Sequence, residues 1–198
     1  MSTVYCDIAV SADGFAAGLN QREEAPFGDI NESWLHSWMF DTYEENAAEV
    51  DGIVDSGATI MGRNMFGPVR GEWDRDWRGW WGPNPPYHNP VFVLTHYARG
   101  PIEMEGGTTF HFVTDGIQSA LAQARAAAGD RNISIAGGAR TVNQYLAAGL
   151  LDELRLHVTP CVIGAGERVF DGVPAQTLER VSVRVASLVT HITYRPVR

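Results

Sequence analysis

The stretch Ile133-Ser134-Ile135-Ala136-Gly137-Gly138-Ala139-Arg140-Thr141 decides the fold. A short apolar run meets two glycines and passes straight into a helix-compatible run ending near Ala148 and Gly149. That is a strand, a tight turn and a helix, the unit from which parallel α/β sheets are built. Glycine allows positive φ and close backbone approach by a ligand. The unpaired N–H groups and macrodipole of the helix start then favour an anion. The spacing is not Gly-x-Gly-x-x-Gly, and a plain βα packing turn reads equally from these residues alone.

Working outward, the same alternation recurs. Val4, Cys6, Ile8 and Val10 occupy one face of an opening strand, with Tyr5, Asp7 and Ala9 on the other. Ser11 to Phe27 reads as a long loop. Asp29 and Glu32 form a capping-box pattern ahead of a helix over Glu32 to Glu49. Gly57 to Met61, Val91 to Thr95 and Thr108 to Val113 read as strands, Asp115 to Ala128 as a helix. Asp152 to Ile163 reads as a strand, Gly164 to Gly166 as a turn, and Leu178 to Tyr194 as a hairpin split near Ala186 and Ser187. Strands alternating with helices predict one α/β domain over residues 1–198, with a mainly parallel sheet flanked by helices and a C-terminal antiparallel hairpin. Gly67 to Pro90 is a long, aromatic, irregular connection of the kind that often carries function.

Composition removes whole classes of chemistry. All fifteen basic residues are Arg, so a Walker A loop, a Lys Schiff base and a Ser-Lys dyad are excluded. The net charge of −9 opposes nucleic-acid binding. No continuous apolar run reaches the roughly 18 residues of a membrane span. Met1 to Val10 lacks the basic start of a signal peptide, and a cytoplasmic location is expected. Cys6 and Cys161 are read as buried, reduced thiols in strand-like runs. There is no Gly-x-Ser-x-Gly elbow and no His-Glu-x-x-His. The six His have no metal-ligand spacing, so no metal is expected; His111 and His157 read as hydrogen-bonded strand residues.

Several strand ends carry phosphate-compatible groups. Met61-Gly62-Arg63 closes one strand, Thr95-His96 another and Gly137-Gly138 a third. In a parallel sheet these fall on one edge, where such sheets bind ligands. No acidic residue follows to take a ribose 2′-hydroxyl, whereas the Arg63 fork suits a 2′-phosphate.

The chain resembles the dihydrofolate reductase superfamily, most of all the reductase domain of the riboflavin-biosynthesis deaminase-reductases and their stand-alone relatives. The matching segments are Ser11 to Gly14, Met61 to Phe66, Val93 to Thr95, Ile135 to Gly138, and Gly149 to Leu156 continuing through Pro160 to Phe170. The resemblance implies a mixed eight-stranded sheet, NADPH across the strand ends and a homodimer. It places the pyrophosphate at Gly137, Gly138, Ala139, Arg140 and Thr141. The adenosine side falls to Gly62, Arg63, Thr95 and His96, and the nicotinamide to Ala9, Asp13 and Gly14. Ala136 stands where riboflavin-pathway reductases often carry Glu, and no deaminase zinc motif is present.

Hydride transfer needs no protein nucleophile, only positioning, water exclusion and a proton. Asp13 and Asp41, or a bound water, are the candidate proton donors. All six Trp lie between Trp34 and Trp81. Trp34, Trp38, Trp77 and Trp81 are expected to wall a flat substrate, with Gly166 grouped as substrate-binding. The expected activity is reduction of a small planar heterocycle or carbonyl compound. The alternatives are a non-catalytic sensor or sequestering module of the same fold, and a dihydrofolate reductase proper.

Overall fold

A computed structural model describes residues 2–197; Met1 and Arg198 lie outside the described residues. In chain order the strands and helices are β1 (Val4–Ser11), β2 (Phe15–Ala17), α1 (Ser33–Phe40), α2 (Tyr43–Val54), β3 (Ala58–Gly62), α3 (Arg63–Phe66), β4 (Pro90–Leu94), β5 (Ile102–Glu103), β6 (Thr109–Val113), α4 (Ile117–Ala128), β7 (Ile133–Gly137), α5 (Ala139–Ala147), β8 (Glu153–Thr159), β9 (Glu167–Arg168), β10 (Leu178–Val185) and β11 (Thr190–Pro196).

Among the described residues the main sheet runs β10-β11-β8-β1-β7-β3-β4-β6-β5. The six strands from β8 to β6 are mutually parallel. The terminal hairpin joins β8 antiparallel, as the two alternating runs predict. The sheet has nine strands where eight are expected; the additional one is the two-residue edge strand β5. A separate two-stranded piece pairs β2 with β9.

The period of two divides the residues between the faces. Val4, Cys6, Ile8 and Val10 of β1 join Ile60, Phe92, Ile133, Ile135, Leu154 and Leu156 in one core, closed by Leu121, Ala124, Val142 and Leu146 of α4 and α5. On the other face α1 packs on β1. A second cluster builds on Met61, Val91, Val93 and Phe110. Cys6 is buried, Cys161 partly exposed, and both are free thiols.

Two local readings need correction. The helix expected over Glu32 to Glu49 is two helices, broken at Asp41-Thr42. Thr42 is non-helical, at φ −128° and ψ 37°. Its hydroxyl donates to the Trp38 carbonyl at 3.1 Å, and Asn46 Nδ2 donates to the carbonyls of Trp38 and Thr42. These side chains satisfy the end of α1 and compete with helix continuation. The capping box does not form either. Asp29 instead accepts from Asn20 and Arg22, and Glu32 makes no side-chain cap.

Candidate active site

Parallel pairing aligns the C-terminal ends of β1, β7, β3 and β4. The βα turn therefore sits in the middle of one sheet edge. Gly137 has φ 122°, a conformation that favours glycine. The peptide joining it to Gly138 is cis. Gly138 precedes α5, and a Cβ built there meets nothing within 4 Å. The approach to the first turn of α5 is open. Ala139 and Thr141 are buried beneath that turn. A Cβ on Gly62 would strike the Thr141 hydroxyl, so β3 and α5 meet at glycine-only distance.

Arg63 begins α3 directly after β3. Its Nη1 donates to Thr95 Oγ1 at 3.2 Å and its Nε to the Val69 carbonyl at 3.1 Å. The guanidinium lies 3.7 Å from the Trp73 ring centroid, a cation–π stack. Nη2 is buried without a partner, the one such side-chain atom among the described residues. Burial, with Arg70 nearby, lowers the Arg63 pKa. An unpaired guanidinium nitrogen is costly, and a phosphate oxygen is the kind of group that would complete it. Thr95 is buried, and His96 beside it is exposed. Arg63 and Thr95 share one sheet edge, as expected from the strand ends, and are in contact there; Gly137 and Gly138 lie at the end of the neighbouring strand.

The floor of this edge is also visible. Ala9 is the one residue of β1 that is not buried, and Ala136 the one residue of β7. Both face away from the first core. They lie between the cover formed by α1 and α2 and the aromatic cover on β3, β4 and β6.

Other expected site residues fall elsewhere. Asp13 is a clamp. Its carboxylate accepts from the Ser11 hydroxyl at 2.6 Å and from the Ile163 and Gly164 N–H groups at 3.1 and 2.7 Å. Those donors, Ser11 foremost, hold its pKa down to about 2. Such a carboxyl is ionised near neutrality and has no proton to give. Gly14, at φ 87°, completes the turn after β1 by donating to the Ser11 carbonyl. Asp41 caps the C-terminal end of α1 and is exposed. Arg140 pairs with Glu167 at 2.8 Å. It lines an open cleft of about 520 Å³ on the outer side of α5, with Asn143 and Arg168. Gly166, at φ 145°, packs against the backbone of Ala17 and Gly18, where a Cβ would collide; it belongs to the junction of β2 and β9.

The four Trp do not form one wall. Trp34 is 48% exposed, whereas Trp38 is fully buried. Trp77 and Trp81 pack with Phe66 and Phe110 in the second cluster. The Trp77 indole donates to the Phe66 carbonyl at 2.9 Å and that of Trp73 to the Tyr97 carbonyl at 3.0 Å. The long aromatic segment is pinned to the sheet because each ring also has a polar end to satisfy. Sequence reading missed the buried chain of Asp7, His157 and His191. The signal was there: Asp7 stands in an otherwise apolar strand, and His157 and His191 each sit mid-strand.

These features define a mainly parallel α/β sheet of the dihydrofolate reductase type, with the C-terminal ends of β1, β7, β3 and β4 along one edge. The chain belongs to the RibD C-terminal domain family, whose profile matches residues 2–192. Solved structures share the fold. A protein from Shewanella sp. PV-4, described as belonging to riboflavin biosynthesis, is 24% identical with a TM-score of 0.67, covering 99% of both chains. A pyrimidine reductase-like protein from Corynebacterium diphtheriae is 14% identical with a TM-score of 0.60, covering 100% of this chain and 92% of that one. Dihydrofolate reductase from Enterococcus faecalis, solved with NADP(H), is 15% identical with a TM-score of 0.58, covering 98% and 96%. None of the curated proteins compared matches the chain. Among the described residues no helix is long and apolar enough to cross a membrane, and no group of His, Cys, Asp and Glu could hold a metal ion.

Proposed function

We propose that the chain is an NADPH-dependent reductase of a small planar heterocyclic or carbonyl substrate. The observation that carries this reading is the strand edge itself. An open helix start at Gly138 and an Arg63 with one unpaired, buried nitrogen lie on adjacent parallel strands. A dinucleotide phosphate suits both. Gly137, Gly138, Ala139 and Thr141 would hold the pyrophosphate, and Gly62, Arg63, Thr95 and His96 the adenosine side. Ala9 and Gly14 would border the nicotinamide, beside Ala136. NADPH supplies the hydride when bound. The protein positions the substrate over the partly exposed floor and excludes water there. Since Asp13 is ionised and Asp41 is exposed at the end of α1, the proton comes from a single bound water rather than from either carboxylate.

Family membership and the TM-scores support the cofactor class, not a substrate. A second copy of the chain as partner is part of the proposal. Val181, Val183 and Val185 are exposed on β10, the outer strand of the sheet. The test is NADPH consumption followed by absorbance over a panel of pyrimidine, pterin and quinone-like compounds. Turnover with one class supports the proposal. Tight NADPH binding without turnover on any of them favours a sensor of the same fold, and turnover of dihydrofolate alone favours a folate reductase.

A further inference from the structure

A buried polar assembly lies on the sheet face under α1 and α2, away from the strand ends. Asp7 of β1, His157 of β8 and His191 of β11 stand side by side, all at least 92% buried. His157 Nε2 is 3.1 Å from Asp7 Oδ1, and His157 Nδ1 is 2.8 Å from His191 Nδ1. His191 Nε2 is 2.9 Å from Asn46 Oδ1. The Trp38 ring covers both imidazoles, with centroids 4.8 and 5.1 Å away. Sheet and helices are thus joined through one hydrogen-bonded line.

The hydrogens in that line can be counted. Asn46 Nδ2 faces three acceptors, the carbonyls of Trp38 and Thr42 and the Thr42 hydroxyl, while Oδ1 also accepts from Arg184. The amide orientation is therefore fixed, and Oδ1 needs a hydrogen from His191 Nε2. At the other end Arg155 Nη1 donates to Asp7 Oδ2 at 3.3 Å, which favours the carboxylate. Asp7 Oδ1 then needs a hydrogen from His157 Nε2. The contact between the two Nδ1 atoms needs a third. Three hydrogens lie on four ring nitrogens, one more than two neutral imidazoles carry.

We propose that Asp7, His157 and His191 form a proton-loaded latch that fastens the α1–α2 pair to the sheet and loosens when the shared proton is lost or another is added. The extra hydrogen sits on His157, between the Asp7 carboxylate and a neutral His191. Burial, then His157, pushes the His191 pKa down to about 4, in keeping with that placement. The surrounding charged groups are Arg155 and Glu153 on β8, Arg184 on β10 and Glu49 on α2. Arg155 also covers the Tyr5 ring of β1, whose hydroxyl is pushed up to about 12 by burial and stays neutral. Helix α1 contributes the Trp38 ring and carbonyl.

The pH dependence has two limbs. A released histidine titrates near about 6.5. Above about pH 7.5 opening sheds the shared proton, so protection falls as pH rises. Between about 6.5 and the lowered His191 value of about 4, opening takes up a proton. His191 contributes fully above about 6.5, and its contribution is lost as pH falls. The latch is tightest between these limbs.

The test is hydrogen exchange of the α1 and α2 amides across pH, corrected for intrinsic rates, in the wild type and in Asp7→Asn. The asparagine amide donates to His157 Nε2 and accepts from Arg155, so the line closes with two ring hydrogens. The wild type is expected to lose protection about tenfold per pH unit from about 7.5 to 9, and the variant to stay flat. Equal slopes would overturn the proposal. Should the variant not fold, nitrogen-15 spectra of the wild-type histidine rings at neutral pH decide. One ring protonated on both nitrogens, beside one protonated only at Nε2, supports the latch; two neutral rings contradict it.

Discussion

At the residue scale, Asp13 shows how hydrogen bonds change the chemistry open to a side chain. Three donors converge on it and tie the loop after β1 to the segment after β8. Its folded pKa, about 2, lies below the ordinary value near about 3.9. The clamp is therefore at full strength above the ordinary value and is lost as pH falls through about 2. Asp13→Asn is expected to lower the melting temperature at neutral pH and to flatten its decline in acid, as calorimetry across pH would show. It should leave no missing limb in a pH–rate profile near neutrality. Gly138 is a second case. Its φ of −68° suits any residue, and an added Cβ meets no protein atom. Gly138→Ala should keep stability within about 1 kcal/mol. It should weaken NADPH at least about tenfold, because the methyl occupies the approach to α5.

At the scale of elements, the break between α1 and α2 decides where Trp38 goes. The helical period predicts both an apolar stripe and a shared face for Trp34 and Trp38. The period does not show that Thr42 and Asn46 end α1 by hydrogen bonding its carbonyls, nor that Asn46 is held by His191 across the sheet. Those partners are roughly 145 residues apart in sequence. Trp38→Ala should destabilise by about 3–5 kcal/mol, the cost of emptying a buried aromatic site, measured by denaturant unfolding. Trp34→Ala should change stability by less than about 1 kcal/mol, since that ring is half exposed.

At the scale of the whole molecule, the strand order follows from alternation and from the glycine turns. Residues that run strand, glycine, helix favour parallel units, and Ile133 to Thr141 forms one. That much was legible, together with the meeting of Arg63 and Thr95 on one edge. The destination of the Trp-rich segment was not. An aromatic run is equally suited to a substrate wall and to a core, and tertiary contacts with Phe66, Phe110 and Phe112 decide for the core. Nor does composition show that Asp13 is saturated with donors. The exposed valines of β10 argue for a second copy across that edge. Sedimentation is expected to give about twice the 21.7 kDa chain mass, falling to one chain in a Val183→Glu, Val185→Glu variant.

We propose that the β7, β3 and β4 strand ends hold a 2′-phosphorylated dinucleotide. Calorimetric titration of NADPH and NADH into the wild type and Arg63→Ala tests it most directly. The wild type is expected to prefer NADPH, and Arg63→Ala to weaken NADPH by about 10- to 100-fold, the range of a charge-assisted hydrogen bond, while changing NADH far less. Equal losses for the two cofactors would contradict the role given to Arg63, and binding of neither by the wild type would contradict the site.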